Sequence, residues 1–190
     1  MSSINPFWLP DVLRREGLDV VEFPRWRFRG LGDFTDIWGV ICHHTGANEA
    51  PPERIAGGTV GVTGPLAQLH LAQNGTVTVV AAGTARHAGS GRYPGLPADQ
   101  ADQHTIGIRA VNTGTEGWGP PQYDALVRCC AAILRRLGRP STHVLGHREW
   151  NPRKWDPGAL DVERLRADVA ARLSAPRAAY ETFRSTGEGR

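Results

Sequence analysis

Apolar and polar positions divide the chain into short periodic runs separated by glycine and proline. Near the N-terminus, FWLPDVLRREG predicts a short helix closed by Gly17. LDVVEF predicts a brief extended segment, and RWRFRGLGDFTD a polar loop. Ile37 to His43 is short, apolar and β-branched, which predicts a strand. PPERIAGG opens on prolines and closes on glycines, and predicts a helix of one or two turns. Two alternating segments, 66–73 and 76–82, flank Asn74-Gly75 and predict a hairpin.

Beyond the hairpin, TARHAGSGRYPGLPADQADQ predicts a long loop and HTIGIRAV a strand. PPQYDALVRCCAAILRRLG carries apolar residues at 123, 126, 127, 130, 133, 134 and 137, a helical period that Gly138 stops. THVLGH predicts a strand ending at His147, and REWNPRKWDPG a loop. LDVERLRADVAARL predicts a helix with Asp161 at its N-cap and Val162, Leu165, Val169 and Leu173 on one stripe. About five strands and three substantial helices in mixed order imply an α/β fold. The expectation is a single domain over residues 1–175, a central mixed sheet flanked by helices. APRAAYETFRSTGEGR lacks periodicity and predicts a flexible C-terminal tail over 176–190.

Composition narrows the classes. A length of 190 residues suits one well-buried domain. With 40% hydrophobic and 22% charged residues, the chain reads as globular. The net charge of +3 and pI near 9.1 suit an anionic partner. No basic patch interleaved with aromatics is present, which argues against nucleic acid. No apolar run reaches the roughly 18–20 residues that span a bilayer, so no integral membrane association is expected. Asp11, Arg14, Arg15 and Glu16 interrupt the place where a signal peptide needs an apolar core. Cys42 lies in an apolar strand and Cys129-Cys130 on a helix, none with metal spacing, so buried reduced thiols are expected.

Two predicted strands end in histidine, VICH at His43 and THVLGH at His147. Side by side in one sheet, they would bring both imidazoles to one edge. Nine residues after His147, Asp156-Pro157-Gly158 has turn chemistry that could fold the Asp156 carboxylate back towards that edge. Two histidines and a carboxylate form a frequent catalytic zinc set, leaving a fourth position open. His44 cannot easily share the ion with His43, because adjacent strand residues point to opposite faces. On residue types alone, packing or surface histidines remain the commoner reading of such a pair.

Taken together, WLPDVLRREGL, GVICHHTG, NGTVTVVAAG, RHAGSG, TIGI followed by NTG, GHREW and KWDPG resemble the zinc-dependent N-acetylmuramoyl-L-alanine amidases. This is the amidase-2 and peptidoglycan recognition protein superfamily, and the likeness is greatest to amidase domains of actinobacteriophage endolysins. The resemblance covers about residues 7–173. It implies that His43, His147 and Asp156 hold Zn2+. It implies that Lys154 of KWDPG stabilises the oxyanion formed during amide hydrolysis. His44 is implied as a neighbour of the site, and His44, His87 of RHAGSG and Asn112 of NTG as substrate-binding positions. The implied partner is bacterial peptidoglycan and the implied protein a monomer. It would be made in the host cytoplasm and act on the cell wall after membrane permeabilisation.

One position departs from the family. Where many relatives carry a glutamate after the IGI strand, this chain has Arg109, which cannot act as a base. The tyrosine that some relatives use on the hairpin strand aligns with Ala67 or Gln68. Three accounts stay open: acidity conferred on water by zinc itself, another acid such as Glu149 or Glu116, or a domain that binds peptidoglycan with little or no catalysis.

Overall fold

The computed structural model describes residues 4–175; the expected tail over 176–190 lies outside the described residues. In chain order the elements are α1 (Leu9–Arg15), β1 (Val20–Glu22), β2 (Gly39–His44), α2 (Pro52–Gly57), β3 (Gly58–Thr59), β4 (Val62–Thr63), β5 (Leu69–Leu71) and β6 (Val77–Val79). They continue with α3 (Ala101–His104), β7 (Thr105–Ala110), α4 (Pro120–Leu137), β8 (Val144–Gly146), α5 (His147–Trp150) and α6 (Val162–Ser174). β3 and β4 form a separate small ribbon. The other six strands form one mixed sheet in the order β1-β6-β5-β7-β2-β8. Only β5 and β6 run antiparallel; every other neighbouring pair in this sheet is parallel.

The α/β expectation holds, with six strands in place of five. The sixth is β1, part of the LDVVEF segment, which pairs parallel with β6 at the sheet edge. Two of its three residues are exposed, so no apolar alternation marked it as a sheet strand. Two short helices also fall where loops were expected. α3 closes the long loop before β7. β8 stops at Gly146, and His147 begins α5 instead of ending a strand. Glu149 Oε2 accepts the Gly146 N–H at 2.7 Å and supports that helical start.

Local signals explain most of the remaining elements. The Asp161 carboxylate accepts the Arg164 N–H at 3.0 Å and caps α6. Gly138, at φ +65°, ends α4, and the Arg139 N–H returns to the Leu134 carbonyl. The hairpin loop is three residues long: Ala72 and Thr76 close it, and Gly75 sits at φ +91°. A Cβ on Gly75 would also lie 2.9 Å from the Pro121 carbonyl oxygen at the start of α4.

The sheet has two unlike faces. Val40 and Cys42 of β2, Ile106 and Ile108 of β7, Leu69 and Leu71 of β5, and Val144 of β8 pack beneath α1, α4 and α6. All are fully buried, each large side chain contributing on the order of 1.5–3 kcal/mol. Cys42 and Cys130 approach to 3.9 Å within this layer, and all three cysteines are free and buried. The alternate residues face the other way. Ile41 and Leu145 there join Trp150, Ala88, Leu96 and Ala101 in a second, smaller cluster. No helix among the described residues is long and apolar enough to cross a membrane.

Gly75→Ala is expected to destabilise the protein by about 1–3 kcal/mol, through the left-handed backbone and the contact with Pro121. Urea denaturation measures this as a lower midpoint with an unchanged slope.

Candidate metal centre

The second sheet face carries the polar chemistry. Parallel pairing sets His43 of β2 against Arg109 of β7, and Arg109 in turn against His70 of β5. On the other side, Cys42 is level with Gly146 of β8, which brings His147 beside His43. The two rings meet edge to face at 4.5 Å between centroids. Asp156 folds back between them. Its Oδ2 lies 2.9 Å from His43 Nδ1, and both its oxygens lie 3.0 Å from His147 Nδ1. One ligand atom from each of these three residues lies within 4.8 Å of the others, close enough to share one ion.

The far side of each ring is tied to the protein. His147 Nε2 lies 2.9 Å from the Ala88 carbonyl oxygen. His43 Nε2 lies 3.1 Å from His87 Nδ1, and His87 Nε2 lies 3.1 Å from the Thr105 carbonyl oxygen. A carbonyl oxygen only accepts, so His87 Nε2 and His147 Nε2 are donors. Burial pushes His87 down to about 4 and His43 well below its ordinary value, so both rings are neutral and each carries one proton. With its proton on Nε2, His87 offers a lone pair at Nδ1, and His43 Nε2 donates to it. His43 Nδ1 is left as a lone pair facing the Asp156 carboxylate. When His147 is neutral, the same reasoning leaves its Nδ1 bare towards Asp156.

Burial pushes the Asp156 carboxyl up, but hydrogen bonds from His147 and His43, where a proton lies between ring and carboxylate, outweigh this and hold it well below the usual carboxylate range. With both rings neutral, two nitrogen lone pairs and a carboxylate converge on one point. Such an arrangement repels itself unless a cation or a proton lies between its members. The donor set fits a divalent metal ion, with carbonyl-anchored N–H groups orienting the ligating rings from behind.

The other residues singled out from the sequence are placed less uniformly. His87 is 3% exposed and packs under His43, not in the open groove expected for a substrate contact. His44 lies on the opposite side of β2. Its Nδ1 accepts the Gly158 N–H at 3.0 Å, and its ring meets Trp155 edge to face at 4.3 Å. Asn112 is 2% exposed, and its carboxamide oxygen accepts the Gly114 N–H at 2.7 Å, the turn role that competed with substrate contact. Lys154 is exposed two residues before Asp156. Glu149, one of the acids considered in place of the missing one, is engaged by Arg166, at 2.6 Å and 3.0 Å, and by the Gly146 N–H. Glu116 accepts the Thr113 N–H at 2.7 Å.

Sequence reasoning missed the glycines that make room for this packing. A Cβ on Gly107 would lie 2.7 Å from the His87 ring. One on Gly158 would lie 2.5 Å from the Trp155 ring, and one on Gly114, at φ +86°, would strike His44 and Trp155. The glycines in TIGI, NTG and DPG were visible in the sequence, but what they approach was not.

Comparison with known proteins adds independent findings. A family profile described as Amidase_2, N-acetylmuramoyl-L-alanine amidase, matches residues 33–159. No curated protein sequence matches the chain significantly. Among solved structures, the endolysin amidase LysCS from Clostridium intestinale is similar at 21% identity and a TM-score of 0.60, covering 80% of this chain and 95% of its own. The Ph2119 endolysin of a Thermus scotoductus bacteriophage is similar at 17% identity and a TM-score of 0.59, covering 79% and 98%. The amidase AmiD from E. coli, in complex with anhydro-N-acetylmuramic acid-L-Ala-D-gamma-Glu-L-Lys, is similar at 20% identity and a TM-score of 0.60, covering 85% and 67%. At these identities the solved structures speak for the fold.

Gly107→Ala is expected to displace His87 and weaken metal affinity by about 10- to 100-fold, the usual cost of disturbing a group that orients a ligand. Competition with a chromophoric chelator measures it. The buried histidines also set a pH dependence. His43 and His87 have depressed values when folded, so the unfolded chain binds more protons as pH falls below the ordinary histidine range. The stability they contribute is full above that range and is lost as pH falls towards about 4. His87 alone should therefore cost the metal-free protein on the order of 2 kcal/mol between pH 7.5 and 5, with His43 adding to it, read as a Tm lower by several degrees.

Proposed function

Because this chain belongs to the Amidase_2 family of N-acetylmuramoyl-L-alanine amidases, we propose that it is a zinc-dependent peptidoglycan hydrolase. It cuts the amide between N-acetylmuramic acid and L-alanine, and it acts as a phage endolysin that lyses an actinobacterial host from the wall side after membrane permeabilisation. The observation that carries this reading is the convergence of His43 Nδ1, His147 Nδ1 and the Asp156 carboxylate. It works as a monomer on peptidoglycan.

His43, His147 and Asp156 hold the ion. Bound zinc supplies Lewis-acid polarisation of the scissile carbonyl and brings the pKa of a water nucleophile to about 7. The chain itself provides the orientation. The Ala88 carbonyl fixes the His147 ring, and the Thr105 carbonyl fixes His43 through His87. Lys154 brings a cation to the same loop as Asp156 and stabilises the negative charge that develops on the carbonyl oxygen. Trp155, 55% exposed between Lys154 and Asp156, leaves an aromatic surface at the rim.

A second reading is favoured by one observation: Arg109 stands beside His43 where an acid would assist the attack. In that reading the domain binds peptidoglycan and cleaves it weakly or not at all.

Mass spectrometry of purified mycobacterial-type peptidoglycan, digested with and without a chelator, separates the two. The expected result is stem peptides with a free N-terminal L-alanine, present only without chelator. Their absence from digests with zinc-loaded protein would leave the binding module. His147→Ala is expected to abolish both zinc binding and lysis; zinc retained at full stoichiometry in this variant would sink the ligand assignment.

A further inference from the structure

Arg109 is largely buried on the site face of the sheet, directly paired in register with the proposed ligand His43. Paired residues on neighbouring strands share a face, so the guanidinium and the His43 ring lie on the same side. Among the described residues, its side chain has no hydrogen bond and no ion pair, and its Nε is buried without a partner. Burial weakens its hold on the proton, Asp156 strengthens it and the nearby Arg54 weakens it further. Asp156 is the carboxylate that favours the Arg109 charge, and it is already turned to the two histidines at the proposed metal position. A bound metal ion would add more positive charge to the same place. Cations are kept in such surroundings where something negative compensates them.

A second unsatisfied atom lies next to it. His70, 4% exposed and paired in register with Arg109, places Nε2 2.8 Å from the Ala50 carbonyl oxygen. Nε2 is therefore the donor, and in the neutral ring Nδ1 is an acceptor; it has no partner. An Nε–H of Arg109 turned to His70 would leave both terminal amino groups as a fork, the geometry that recognises a carboxylate.

We propose that Arg109 is a specificity-determining residue that receives the free α-carboxylate of a γ-linked glutamate in the stem peptide. This rests on the amidase reading. A glutamate joined through its γ-carboxyl, as in the tripeptide bound to AmiD, keeps its α-carboxylate free. Consecutive Cα atoms are about 3.8 Å apart, which puts that carboxylate roughly 6 Å from the cleaved amide. The Arg109 backbone stands one strand away from His43, about 4.8 Å, on the same sheet face. The cation that displaces the family's acid is then a reader of substrate charge: it favours stems with a free carboxylate over stems amidated to isoglutamine.

The test compares L-Ala-D-γ-Glu-L-Lys with its α-carboxamide counterpart. Isothermal titration calorimetry on zinc-loaded wild type, Arg109→Gln and Arg109→Lys gives affinities without turnover, and zinc content and circular dichroism verify each fold. Wild type is expected to bind the carboxylate form about 10- to 100-fold more tightly, a charge-assisted pair's worth. Arg109→Gln should bring the ratio close to one, and Arg109→Lys should retain part of it. With the corresponding muramyl tripeptides, the preference should lie in KM. Equal wild-type affinity for both peptides, or a preference surviving in Arg109→Gln, would overturn the proposal. So would a fall in kcat on both substrates with the preference intact, which would place Arg109 at the oxyanion. Failure of wild type to hydrolyse either muramyl tripeptide would refute the amidase reading, while the calorimetric ratio would still decide the role of Arg109.

Discussion

The site depends on one constraint: the outward nitrogens of the clustered histidines are tied to groups that can only accept, or to a ring that is itself so tied. The Ala88 and Thr105 carbonyls and His87 settle where the protons sit. The lone pairs that remain are aimed at Asp156. Burial enforces this by keeping His43 and His87 neutral. A surface cluster of the same three residue types would protonate, rotate and bind nothing in particular. The long loop between β6 and β7 supplies both His87 and the Ala88 carbonyl, and Asp102 of α3 holds that loop by accepting the N–H groups of both residues, at 3.0 Å and 2.7 Å. The segment predicted as an irregular connection is thus a structural wall of the site.

Charge balance on the same sheet face gives Arg109 its meaning. A guanidinium cannot act as a base at any ordinary pH. Its effect is electrostatic. It lowers the affinity of His44 and His87 for protons, and a metal ion held beside Asp156 would leave this face with a net positive charge. A peptidoglycan stem supplies carboxylates, so the imbalance is of the kind a substrate can correct. Glu149, spent on Arg166 and on starting α5, shows how little of the nearby acid is free to do so from within the chain.

Some of this was legible in the sequence. The hairpin at Asn74-Gly75, the α4 stop at Gly138 and the Asp161 cap depend on neighbours within a few residues, and local chemistry suffices for them. The alternation in VICHH separated His43 from His44, and the structure sends them to opposite sides. Other features were silent. β1 has too few buried positions to show a period. His87 read as a groove residue because its partner, His43, is 44 positions away in the chain. The unpaired state of Arg109 exists only in the folded register.

By itself, the sequence determined most of the longer elements and their order, the mixed α/β class and the residue types able to bind a metal, because periodicity and turn chemistry are properties of adjacent residues. Tertiary structure decided which nitrogen of each histidine faces Asp156, that His87 packs against His43, and that Arg109 lies beside them without a hydrogen bond or ion pair among the described residues. Those outcomes depend on strand register and on burial, which set distance and dielectric between residues far apart in the chain.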